Sequence, residues 1–98
     1  MNSDTGIREA VLTEIRDLAE KYGLERVMLF GSRARGDYKK TSDIDLAVTG
    51  GNITLFTLDV EEETSTLLSF DVVNLDGSVQ EELRKSIEQE GKLLYEKI

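Results

Sequence analysis

Apolar side chains at Ile7, Val11, Ile15, Leu18 and Tyr22 recur every three or four positions, the stripe that an amphipathic helix turns toward a core. Ser3, Asp4 or Thr5 can cap its start, and Gly23 suits its C-terminal stop. Residues 27–30 are an unbroken apolar run closed by Gly31, the pattern of a buried strand. From 43 to 48 the pattern alternates, with Ile44, Leu46 and Val48 on one face and Asp43, Asp45 and Ala47 on the other. A period of two predicts a strand and puts both aspartates on the same side. Gly50-Gly51 breaks the chain, and Asn52 can cap a second helix running to about Leu68 along Ile53, Phe56, Val60, Thr64 and Leu67. Residues 70–75 read as a third strand and Asp76-Gly77 as a turn. Ser78 with Glu81 fits a capping box, opening a helix that buries Val79, Leu83 and Ile87 and ends at Gly91. Residues 92–97 read as a last strand. This order of helices and strands predicts an α/β sheet domain.

Ninety-eight residues support one domain, since neither half could bury a useful core alone. A domain this small is marginally stable, so a partner or a homo- or hetero-oligomer is expected. The chain has no cysteine and no histidine. That excludes disulfides, thiolate sites, imidazole catalysis and His-ligated zinc. Any metal must be a hard cation held by carboxylates, Mg2+ or Mn2+ first. No apolar run approaches the ~20 residues of a membrane span and the N-terminus has no signal-peptide core, so a cytoplasmic location is expected. The formal net charge of −8 argues against general nucleic-acid binding. Locally the sign reverses: Arg26, Arg33, Arg35, Lys39 and Lys40 against Asp37 sum to +4 over residues 26–40, leaving −12 elsewhere.

That basic stretch lies beside the residues with the most chemical promise. Gly31-Ser32, fed by a strand into a short helical turn, can expose backbone N–H groups to phosphate oxygens, although glycine and serine are also ordinary caps. Asp43 and Asp45 repel one another on one strand face, which calls for a cation or hydrogen bonds; two metal ions bridging carboxylates and substrate phosphates would answer it. Asp71 opens another apolar strand and can complete a three-carboxylate site if that strand neighbours 43–48. Asp76 is already explained by its turn. Arg33 can neutralise a polyphosphate with its guanidinium fork, while Arg35, two positions on, reads as a surface arginine. Asp59 and Glu61-Glu62-Glu63 fan around a helix and read as a solvated face.

Gly31-Ser32-Arg33-Ala34-Arg35-Gly36, followed by Thr41-Ser42-Asp43-Ile44-Asp45-Leu46-Ala47-Val48, resembles the nucleotidyltransferase superfamily that includes DNA polymerase β. The closest branch is its smallest members, the minimal nucleotidyltransferases. The resemblance implies the polymerase β-like fold over residues 1–98, a small mixed sheet of about four strands with helices packed on it. It implies Asp43, Asp45 and Asp71 as catalytic and metal-binding carboxylates, Gly31 and Ser32 as the phosphate loop, two Mg2+ ions and a nucleoside triphosphate, ATP first. It further implies an antitoxin that transfers AMP to a tyrosine of a HEPN-domain toxin. Two alternatives remain: an antitoxin that holds nucleotide and acts by steric blockade, or a nucleotidyltransferase whose acceptor is a small-molecule alcohol.

Overall fold

The computed structural model describes residues 5–98. Eight elements follow one another: α1 (Glu9–Lys21), β1 (Arg26–Phe30), α2 (Ser32–Arg35), β2 (Ile44–Thr49), α3 (Ile53–Glu63), β3 (Phe70–Asn74), α4 (Glu81–Glu90) and β4 (Lys92–Glu96). The strands form one mixed sheet in the order β3-β2-β1-β4. β1 pairs antiparallel with both β2 and β4, whereas β2 and β3 run parallel, joined through the crossover helix α3. This is the small mixed sheet that the sequence resemblance implied.

Apolar alternation decides what covers each face. Val27, Leu29, Ile44, Leu46 and Val48 meet Val11, Ile15 and Ala19 of α1 and Phe56 and Val60 of α3 in the main core. The opposite face is thinner: Phe30 and Ala47 pack on Ile87 of α4, with Met28, Val73, Leu75 and Leu83 at the margin. Asp45 belongs to this thinner face, because it alternates with Leu46 and shares the side of Ala47.

Several ends differ from expectation. Ser3 and Asp4 lie outside the described residues; helix α1 is preceded by Arg8, with no side-chain cap. Thr5 instead accepts the Ile7 N–H through its hydroxyl at 3.3 Å. Gly23, at φ +68°, follows the last turn as expected. Asn52 does cap α3, its side chain accepting the Leu55 N–H at 3.1 Å. That helix stops at Glu63 rather than near Leu68, and Leu67 is 105% exposed. The physical cause is Glu14 of α1, which accepts the N–H and the hydroxyl of Ser65 at 2.8 and 2.5 Å and pulls the chain out of its helical path. The expected Ser78 cap is also absent, and α4 begins after Gln80. Asn74 accepts the Asp76 N–H at 2.8 Å through its side chain and the Gly77 N–H at 3.2 Å through its carbonyl. The turn thus starts at Asn74, and residues 78–80 lead from it into α4.

Candidate active site

Strand β1 delivers the chain to Gly31, whose φ of 75° and ψ of −156° belong to a region open essentially to glycine alone. A second constraint acts on the same atom. A Cβ at residue 31 would overlap the Asp45 carboxylate, so Gly31 makes the space in which Asp45 sits. Ser32 is the first residue of α2 rather than its cap; Gly31 takes the cap position, and its carbonyl accepts the N–H groups of Ala34 and Arg35, both at 3.1 Å. The N–H groups of Ser32 and Arg33, which follow Gly31 directly, have no acceptor within so short a helix.

Parallel pairing of β2 with β3 sets Asp45 opposite Asp71, one strand apart on the α4 side of the sheet. Asp43 stands just before β2, exposed. Burial pushes the Asp45 carboxyl above its usual value, and repulsion from Asp71 and then Asp43 pushes it further. Arg35 and Arg33 pull it back only in part. Asp45 is therefore the electrostatic centre of the group, a half-buried carboxylate between two others. The strand of Asp71 does neighbour that of Asp45, as a three-carboxylate site requires; among the described residues, however, no three Asp, Glu, His or Cys side chains form a ready-made nest for one ion. Magnesium does not require such a nest, because it is commonly held by one or two carboxylates, water and substrate phosphates. Carboxylates with uncompensated repulsion, in a chain with no histidine and no cysteine, fit a hard cation of that kind.

Arg33 is a correction. Its side chain is 1% exposed and its donors are spent on backbone carbonyls: Nε and Nη2 on Ser42 at 3.1 and 2.9 Å, Nη1 on Thr5 at 2.9 Å, Nη2 also on Lys40 and Lys39 at 3.3 and 3.4 Å. The Tyr38 ring covers the guanidinium, with its centroid 4.8 Å away. Committed in this way, the fork has no side left for a phosphate; it ties the 36–43 loop, and so Asp43, to α2. Arg35 is the arginine that stays accessible. It is indeed a surface residue, paired with Asp37 at 3.3 Å and Glu90 at 3.6 Å, yet its charge reaches Asp45. Nearby arginines around a turn carry no mark in the sequence of which one folds inward. Asp76 is structural: it accepts the Thr49 hydroxyl at 2.5 Å and the Gly50 N–H at 2.7 Å, bonds that hold its carboxyl below the usual range.

These features define a class. Residues 13–98 match the family described as "Polymerase beta, Nucleotidyltransferase", and the chain belongs to that family. Two proteins of Methanocaldococcus jannaschii, each named "Putative protein adenylyltransferase", are 32% and 31% identical to it; both are matched over 97% of this chain, and over 100% and 99% of their own lengths. Among solved structures, one described as a toxin-antitoxin with AMP-PNP is similar at a TM-score of 0.70 and 26% identity, covering 88% of this chain and 73% of that one. The protein is a nucleotidyltransferase. No helix among the described residues is long and apolar enough to cross a membrane.

Proposed function

We propose that residues 1–98 form one minimal nucleotidyltransferase domain that moves AMP from ATP to a hydroxyl of a partner protein, in the manner of a cytoplasmic antitoxin modifying a tyrosine of a HEPN-type toxin. The observation that carries this reading is the register of Asp45 against Asp71 beside the recess kept open by Gly31. The relatives' names support adenylyl transfer to protein, and the toxin-antitoxin neighbour with its ATP analogue supports the setting.

In this reading Asp45, with Asp43 on one side and Asp71 on the other, would hold two magnesium ions, with manganese as a substitute. When bound, such ions neutralise the polyphosphate and lower the barrier to attack at phosphorus. The N–H groups of Ser32 and Arg33 receive phosphate oxygens, and Arg35 exchanges Asp37 and Glu90 for the triphosphate. The acceptor oxygen bonds to the α-phosphorus as the bond from that phosphorus to pyrophosphate breaks, and the hydroxyl proton passes to Asp71. Label placed on the α-phosphate of ATP should therefore appear on the partner protein, and label on the γ-phosphate should leave as pyrophosphate. Equal incorporation from both positions would instead indicate a different reaction. A change of Asp43 and Asp45 together to asparagine that still neutralises the partner would replace transfer with steric blockade.

A further inference from the structure

The strand that carries Asp71 is an open edge of the sheet: among the described residues β3 pairs with β2 alone. The ladder bonds fix which of its backbone groups are spare. The Ile44 N–H donates to the Ser69 carbonyl at 2.9 Å, and the Leu75 N–H donates to the Val48 carbonyl at 2.9 Å. In a parallel ladder with Ile44 opposite Phe70 and Val48 opposite Asn74, the odd-numbered residues of β3 bond to β2. The N–H and C=O groups of Phe70 and Val72 and the N–H of Asn74 consequently point away from the sheet, the Asn74 carbonyl being taken by the Gly77 N–H. A strand laid there would place one of its side chains beside Asp71, on the same face as Asp71 and Asp45, at a spacing of about 4.8 Å.

A second observation marks the same edge. Residues 64–69 run directly into β3 and are fastened to α1, Glu14 holding Ser65 while Arg8 Nη2 donates to the Ser65 carbonyl at 2.8 Å. In this pinned segment Leu68 packs on the core, but Leu67 is fully exposed. A leucine held outward on a fixed support, three residues ahead of the strand that carries Asp71, is an apolar anchor point.

We infer that the protein acceptor binds as an extended segment added to the β3 edge, pairing with Val72, resting an apolar side chain on Leu67 and presenting its hydroxyl at Asp71. The inference rests on the proposed transfer to protein and adds how the acceptor is held. Backbone pairing supplies affinity with little demand on sequence, and the hydroxyl position is set by strand register. The oxygen then forms its bond to the α-phosphorus of the bound nucleoside triphosphate, pyrophosphate leaves, and the proton goes to Asp71.

Val72→Pro and Leu67→Asp test this without touching the carboxylates. The Val72 N–H faces outward, so proline there removes an edge donor and no ladder bond. Leu67→Asp changes a side chain that makes no core contact. The probe is a synthetic heptapeptide of alternating threonine and valine with a central tyrosine, offered at millimolar concentration with ATP and magnesium. Hydrogen exchange at the Val72 amide should slow by at least tenfold in the wild-type protein, with the central tyrosine adenylylated. Each variant should lose at least tenfold in peptide labelling while keeping the wild-type melting-temperature rise with ATP and magnesium. Labelling without protection of Val72, undiminished labelling of both variants, or no binding of the peptide overturns the inference. Loss of the ATP-dependent rise in the wild-type protein would refute the nucleotide site itself, a separate failure.

Discussion

Replacing Arg33 by methionine separates a structural arginine from a phosphate ligand. Methionine keeps much of the volume, so the change removes hydrogen bonds without opening a large cavity. The carbonyls of Lys39 and Lys40 lie on exposed residues and can turn to water, but those of Thr5, 7% exposed, and of half-buried Ser42 lose their donor. Each buried acceptor left unpaired costs about 1–3 kcal/mol, so a total near 3 kcal/mol is expected. A chain of this size has roughly 5–15 kcal/mol in all. At about 4–8 °C per kcal/mol for so small a domain, the melting temperature should fall by ~12–24 °C. Thermal denaturation followed by circular dichroism reads this directly, and ATP titration below the new transition should show weakened binding, because the loop bearing Asp43 is no longer tied to α2. A melting temperature within ~4 °C of wild type, with nucleotide affinity alone abolished, would refute the structural role and return the guanidinium to the phosphate.

Other outcomes follow from the same geometry. Asp45→Asn should inactivate the enzyme yet raise its melting temperature at neutral pH: the folded state raises this carboxyl's pKa, so it costs stability as pH climbs through that range and above it, and a scan against pH would show the asparagine form flatter. Asp76→Asn should act in the opposite sense, since its lowered pKa adds stability above the unfolded value that is lost as pH falls; the variant should melt lower at neutral pH and converge with wild type in acid. Gly31→Ala should cost ~1–3 kcal/mol through its positive φ alone and should also weaken ATP binding by displacing Asp45, measurable by denaturant unfolding and calorimetric titration. Arg35→Ala should leave the melting temperature nearly unchanged, as exposed ion pairs contribute ~0–1 kcal/mol, while reducing nucleotide affinity.

The sequence displayed its elements because their periods were unambiguous: the four-residue recurrence from Val11 to Ile15, and the alternation from Ile44 to Val48, are the positions that reach zero or near-zero exposure. Gly31 was recognisable as a close-approach residue, and the group a Cβ there would meet is the Asp45 carboxylate. Two kinds of information were not legible. Helix ends were set by contacts distant in sequence, Glu14 with Ser65 above all, and no local propensity encodes a partner 51 residues away. The inward turn of Arg33 was hidden for the same reason, as its acceptors are carbonyls of Thr5 and the 39–42 loop. Asp71 could be placed on a strand from its neighbours, but its meeting with Asp45 depended on which strands pair.

The account stands on Asp43, Asp45 and Asp71 acting together on one magnesium–nucleotide complex. Differential scanning calorimetry of the wild-type protein and its three single asparagine variants, each with and without ATP and magnesium, tests this most directly. At a ligand concentration a hundredfold above the dissociation constant, binding adds about 2.7 kcal/mol. The wild-type protein should therefore melt ~10–20 °C higher with ligand. Each single variant should lose most of that rise, and omission of magnesium should do the same. A rise of equal size in all three variants would contradict the shared site.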